Sequence, residues 1–134
     1  MNISKGFWGI CLALTGIAAS CSRKEPEKNA GKGGSITLNC VPKHHNVFKN
    51  IINGKIYIAY NTSDVPLNYD DSASCIMVNG TLTAVFTEMK PGAYYLVGKG
   101  FDTTIQGNVT GGVPYTARQD NVSPTVVIPV TEGD

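Results

Sequence analysis

From Ser35 to the end of the chain, apolar and β-branched residues arrive in short alternating runs, each closed by a turn signal. The runs are Ile36–Cys40, Ile56–Tyr60, Cys75–Val78, Thr81–Phe86, Ala93–Lys99, Thr104–Val109 and Thr125–Val130. Val, Ile, Thr, Tyr and Phe dominate them, and side chains alternating with period two suit a pleated, half-buried surface. Nothing in this stretch repeats with the 3.6-residue period of an amphipathic helix. Asn53-Gly54 and Asn79-Gly80 read as tight turns because both residue types tolerate positive φ, and Pro91-Gly92 and Gly111-Gly112 read as further punctuation. Pro124 and Pro129 bracket the last run, which places it at a sheet edge, where a missing N–H costs least. The pattern predicts an all-β domain over 35–134, a seven-stranded antiparallel Greek-key β-sandwich.

The segment Phe86-Thr87-Glu88-Met89-Lys90-Pro91-Gly92-Ala93-Tyr94-Tyr95-Leu96 resembles the F-x-x-L-x-P-G-x-Y-x-L signature of transthyretin-like (prealbumin-like) domains. That group includes carboxypeptidase regulatory-like domains and the B-type repeats of bacterial collagen adhesins. The resemblance implies that Phe86 ends an inward-facing strand, that Met89 stands in for Leu at the end of the sandwich, and that Pro91-Gly92 turns the chain. Tyr94 then re-enters the core as the motif tyrosine. More loosely, Ile36–His45, Tyr69-Asp70-Asp71 and Gly111-Gly112-Val113-Pro114-Tyr115 resemble small Bacteroidetes-type lipoproteins, which implies a cell-envelope location.

The N-terminus reads as an address. In MNISKGFWGICLALTGIAASC, Lys5 precedes an uncharged apolar run from Phe7 to Ala19. That run is shorter than the roughly 20 apolar residues of a membrane span and fits the h-region of an export signal. Ala18-Ala19-Ser20-Cys21 resembles the lipobox of bacterial lipoproteins, with Ala18 standing where Leu is usual. The resemblance implies a signal peptide over 1–20, acylation of Cys21 (palmitate among its chains) and, from Ser22, outer-membrane sorting. Residues 21–34 then read as a flexible tether. Within it, 22–34 hold four basic and two acidic residues and no apolar cluster, whereas 35–134 hold six basic and eight acidic. The overall net charge of +1 averages over these two parts. Neither part carries the clustered basic excess that nucleic acid would require.

With Cys11 in the signal and Cys21 acylated, Cys40 and Cys75 remain as a candidate disulfide in an oxidising envelope. His44 and His45 are the weak metal candidates, because adjacent residues on an extended chain point to opposite sides. Asp64, Asp70 and Asp71, with Tyr69, form an oxygen-rich loop that lacks the spacing of a calcium loop. Tyr94 and Tyr95 must face opposite ways, which leaves one of them toward solvent. No phosphate-binding loop, dinucleotide fingerprint, zinc-hydrolase helix or nucleophile elbow occurs, and no cofactor is predicted.

The expected function is a lipid-anchored, non-enzymatic envelope lipoprotein acting as a binding or accessory module. Its partner is another envelope protein or a glycan, met by the loop tips at Asp64–Ser72 and Gly111–Tyr115. A structural subunit of a surface or adhesin assembly, pairing through the last strand, is the first alternative. A transthyretin-related hydrolase using His44 or His45 is the second, although the Tyr-Arg-Gly-Ser ending of that family is not matched by Thr131-Glu132-Gly133-Asp134.

Overall fold

The computed structural model describes residues 29–133. The signal stretch 1–20, Cys21 and most of the tether lie outside them. Among the described residues there is no helix, so none is long and apolar enough to cross a membrane. The elements are β1 (Lys32–His44), β2 (Ile51–Tyr60), β3 (Asp71–Ser74), β4 (Ile76–Val78), β5 (Thr81–Met89), β6 (Gly92–Asp102), β7 (Gly107–Ala117) and β8 (Thr125–Glu132).

These eight strands form one mixed sheet in the order β3-β2-β6-β7-β8-β1-β5-β4. The all-β expectation holds. The strand beyond the expected seven is β3, in a segment whose Asp and Ser residues read as loop. Most neighbours are antiparallel, but β1 and β8 run parallel from Asn39↔Thr125 to His44↔Val130. The all-antiparallel expectation is therefore corrected. So is the edge position of the last strand: β8 lies between β1 and β7, and it meets β7 at Val109↔Glu132 and Thr110↔Thr131. Pro124 lies before β8 begins and Pro129 is an exposed position within it, while Val126, Ile128 and Val130 all point inward.

The two ends of the strand order are covalently continuous. β3 pairs with β2, β4 pairs with β5, and only Cys75 separates β3 from β4. The amide of Cys75 donates to the Gly54 carbonyl at 2.8 Å as the chain turns this corner. The sheet is thus rolled almost into a barrel, with two very short strands at its seam. Inward residues from every wall meet in one core: Ile36, Leu38 and Cys40 from β1, Ile56 and Ile58 from β2, Phe86 from β5, Leu96 from β6 and Ile128 from β8.

Two bulges account for sequence signals that looked like turns or irregular spacing. Asn53, at φ 52°, sits where the β2–β6 register slips between Ile52↔Phe101 and Lys55↔Lys99. Asn53-Gly54 therefore bends a strand instead of ending one. Glu88, at φ 56°, does the same in β5. Leu38 faces Phe86 and Ile36 faces Met89, so two residues of β1 span three of β5. The extra residue lets Phe86 and Met89, three apart, both turn into the core.

The segment before β1 is part of the domain, whose start lies several residues before Ser35. Ala30 is only 8% exposed, and Lys90 donates its amide to the Gly31 carbonyl at 2.7 Å. The buried Tyr94 hydroxyl accepts from the Gly31 amide at 2.8 Å and donates to the Lys90 carbonyl. Gly92, at φ 150°, is required here because a Cβ would lie 2.8 Å from that of Ala30.

Candidate functional site

Three strands deliver residues to one end of the roll. β1 ends on His44, β6 ends on Asp102, and β8 ends on Glu132. The parallel pairing of β1 with β8 brings His44 and Glu132 to the same end. Beyond His44 the chain makes a two-residue turn: His44 and Val47 exchange backbone hydrogen bonds of 2.9 and 3.0 Å, and His45 and Asn46 both have positive φ. This is the dihedral pattern of a primed hairpin turn. It folds the His45 ring back onto His44, with centroids 4.1 Å apart.

His44 is 4% exposed and Asp102 is buried beside it. His44 Nδ1 lies 2.6 Å from Asp102 Oδ2. The other carboxylate oxygen of Asp102 accepts from the Thr104 amide at 2.8 Å and from the Thr104 hydroxyl at 2.6 Å. The Thr104 hydroxyl bond, then His44, hold the Asp102 carboxyl down at about 2 against the opposing effect of burial. An ionised carboxylate only accepts, so the proton on this contact belongs to Nδ1, which leaves Nε2 as the ring nitrogen turned toward the end of the roll. That Nε2 is buried without a hydrogen-bond partner. It faces Glu132 Oε1 at 3.4 Å, and His45 Nε2 lies 3.9 Å from the same oxygen.

The sequence singled out both histidines as ligand candidates, but it joined none of Asp102, Thr104 and Glu132 to them. Their meeting depends on strand register, for which the only local trace is the Asp-Thr-Thr string that builds the Asx turn. Asp64, Asp70 and Asp71 do not converge. Asp70 accepts from the Tyr60 amide at 2.7 Å, Asp71 accepts from the Ser72 amide at 2.8 Å, and Asp64 donates its amide to the Thr62 hydroxyl at 3.1 Å. Among the described residues, the group of three metal-ligating side chains is His44, His45 and Glu132.

A second surface lies on the β2–β3 side. Tyr69 packs on Tyr57 with ring centroids 5.2 Å apart, and the ammonium groups of Lys99 and Lys55 lie 5.2 and 5.4 Å from the Tyr57 centroid. A shallow groove of about 390 Å³ runs between Tyr57, Tyr69 and Asp70–Ser72, and Leu67 overhangs it. Leu67 is 97% exposed and Val65 is 73% exposed. Tyr115, expected on a loop tip with Gly111, instead lies inside β7, paired with Tyr94. The Gly-Gly pair that suggested a loop serves a close approach between strands.

Cys40 and Cys75 are free thiols in this structure. Burial pushes Cys40 up to about 12, with the charge of Cys75 adding to it, and burial pushes Cys75 up to about 11, against 9.0 for an ordinary thiol. Both folded-state values are raised, so the stability they contribute is complete below pH 9 and is lost as pH rises toward about 12. Each thiol ionising in the unfolded chain steepens the loss by about 1.4 kcal/mol per pH unit. Thermal unfolding of reduced protein across this alkaline range is expected to show that decline, and Cys40→Ala is expected to flatten it. An oxidised Cys40–Cys75 pair has no proton to lose, so a slope that appears only after reduction reports the bridge.

No protein-family model matches the chain, and neither a curated protein nor a solved structure is significantly similar to it.

Proposed function

We propose that this protein is a lipid-anchored cell-envelope module that binds a protein partner and catalyses no reaction. In this reading acylated Cys21 holds it at the membrane, the outer membrane given Ser22, and the tether before Ala30 supplies reach. Buried acyl chains contribute about 0.8 kcal/mol per CH₂, enough for two or more chains to anchor a small domain. The domain is read as a transthyretin-like β-sandwich. The burial of Phe86, Met89 and Tyr94, and the turn at Pro91-Gly92 closed by the Tyr94 hydroxyl, support that reading.

The observation that carries the binding role is the exposure of Leu67 and Val65 beside the Tyr57–Tyr69 pair. Covering a leucine side chain contributes about 2 kcal/mol, and tyrosines are frequent anchors of interfaces. A glycan would use the two rings but leave both aliphatic side chains in water, so a protein surface suits the patch better. The last strand offers no free edge for assembly, because β1 and β7 flank it.

Two measurements test this reading. Radiolabelled palmitate is expected in the wild-type protein and absent from Cys21→Ala, which should leave the membrane fraction; a membrane-bound, unlabelled Cys21→Ala protein would sink the anchor. A photo-crosslinking residue at position 67 is expected to give a discrete protein adduct in intact cells, weakened by Tyr57→Ala. Equal yields from position 67 and from exposed Gln106 would remove the recognition role.

A further inference from the structure

The unpartnered Nε2 of His44 lies among groups that share one capacity. His45 offers a second imidazole nitrogen and Glu132 a carboxylate, and the three ligand atoms all lie within 4.8 Å of one another. We propose that His44 Nε2, His45 Nε2 and a Glu132 carboxylate oxygen bind a divalent transition-metal ion of the zinc class at the β1–β8 end of the domain. This goes beyond the anchoring and recognition roles and uses none of their residues.

Spacing supports the assignment. Ligand atoms of a tetrahedral zinc site, at bonds of roughly 2.0–2.1 Å, lie about 3.3 Å apart. His44 Nε2 and Glu132 Oε1 are already at 3.4 Å, and His45 Nε2 is 3.9 Å from that oxygen. The remaining closure falls on His45 and Glu132, whose side chains are 79% and 62% exposed. A buried imidazole nitrogen without a hydrogen-bond partner is a costly arrangement that coordination relieves. The objection that adjacent histidines diverge holds for an extended strand, whereas positive φ at His45 puts both rings on one side.

The surroundings of His44 match those of a metal ligand. Metal-binding histidines usually give their other ring N–H to a carboxylate, which sets the tautomer and the ring orientation. Asp102 accepts from the His44 Nδ1–H at 2.6 Å and is itself held by two bonds from Thr104. Two imidazoles and one carboxylate favour zinc-class ions, since calcium and magnesium prefer all-oxygen sets. Three protein ligands leave a fourth position, on the exposed side of His45 and Glu132, for solvent or a ligand atom of a partner.

The test is calorimetric titration of metal-free, full-length protein with zinc chloride, together with the absorption spectrum of the cobalt(II) form. One equivalent of zinc is expected to bind. His45→Gln and Glu132→Gln, both at exposed side chains whose replacement spares the core, should each weaken it about 10- to 100-fold. Asp102→Asn, a positioning change, should weaken binding by about tenfold or more while the cobalt spectrum keeps its nitrogen–oxygen character. The cobalt form should show weak ligand-field bands without thiolate charge transfer, which separates this site from the cysteines. Absence of one-equivalent binding, wild-type affinity in either His45→Gln or Glu132→Gln, or a thiolate band would each overturn the assignment.

Discussion

Gly111→Ala is expected to destabilise the domain by about 3 kcal/mol, lowering Tm by about 12 °C or more. A Cβ at position 111 would stand 2.1 Å from the Pro129 carbonyl oxygen and 2.9 Å from the Val130 Cα. Both obstacles are backbone, so no rotamer change relieves the overlap. β7 cannot retreat either, since it pairs with β6 over its whole length, Gly98↔Gly111 included. Its join to β8 rests on Val109↔Glu132 and Thr110↔Thr131, so separation here opens the roll where it is most thinly paired. Gly107→Ala is the control: its new Cβ would meet Ile105 Cδ1 at 3.4 Å, an ordinary contact, and should change stability by less than about 0.5 kcal/mol. Urea or thermal unfolding followed by circular dichroism checks both. Similar shifts in the two variants would show that the β7–β8 approach is not the constraint.

Gly111 also shows how much of the fold local sequence can report. Strand existence was legible, because alternation such as Ile36, Leu38, Cys40 is a local consequence of a half-buried pleat. Strand ends and neighbours were less so. A glycine pair looks the same whether it turns the chain or lets another backbone approach, and the difference lies in Pro129, 18 positions away. Asn53-Gly54 is likewise a turn signal spent on a bulge, since positive φ serves both. The parallel β1–β8 pair has no local signal, because its register is set by the core that Ile128 and Val130 share with β1. The candidate metal site inherits this blindness. His44 and His45 were visible as types, but Asp102 and Glu132 reach them only through strand ends far apart in sequence. The exposed loop was more legible: Asp64, Tyr69 and Asp70 mark a polar connection, and recognition surfaces sit on such connections.

Tyr94 is fully buried in the core, and its replacement should divide into two steps. Tyr94→Phe keeps the ring in the core, edge-on to Tyr60 at 5.8 Å, and removes only the hydroxyl. The Gly31 amide and the Lys90 carbonyl then lose their partner in a buried setting, which costs about 1–3 kcal/mol. The loss is local in kind, because these bonds hold 30–31 against the turn before β6. Hydrogen exchange at the Gly31 amide should therefore accelerate more than exchange in β2 or β6. Tyr94→Ala adds a cavity at the centre of the core, for a total of about 4–5 kcal/mol, and should loosen both regions together. The order of effects carries the argument: the phenyl ring stabilises the roll as a whole, and the hydroxyl fastens the chain that leads toward Cys21. If Tyr94→Phe kept wild-type Tm and Gly31 protection, the hydroxyl would be incidental to that fastening. Tyr94 would then serve core packing alone.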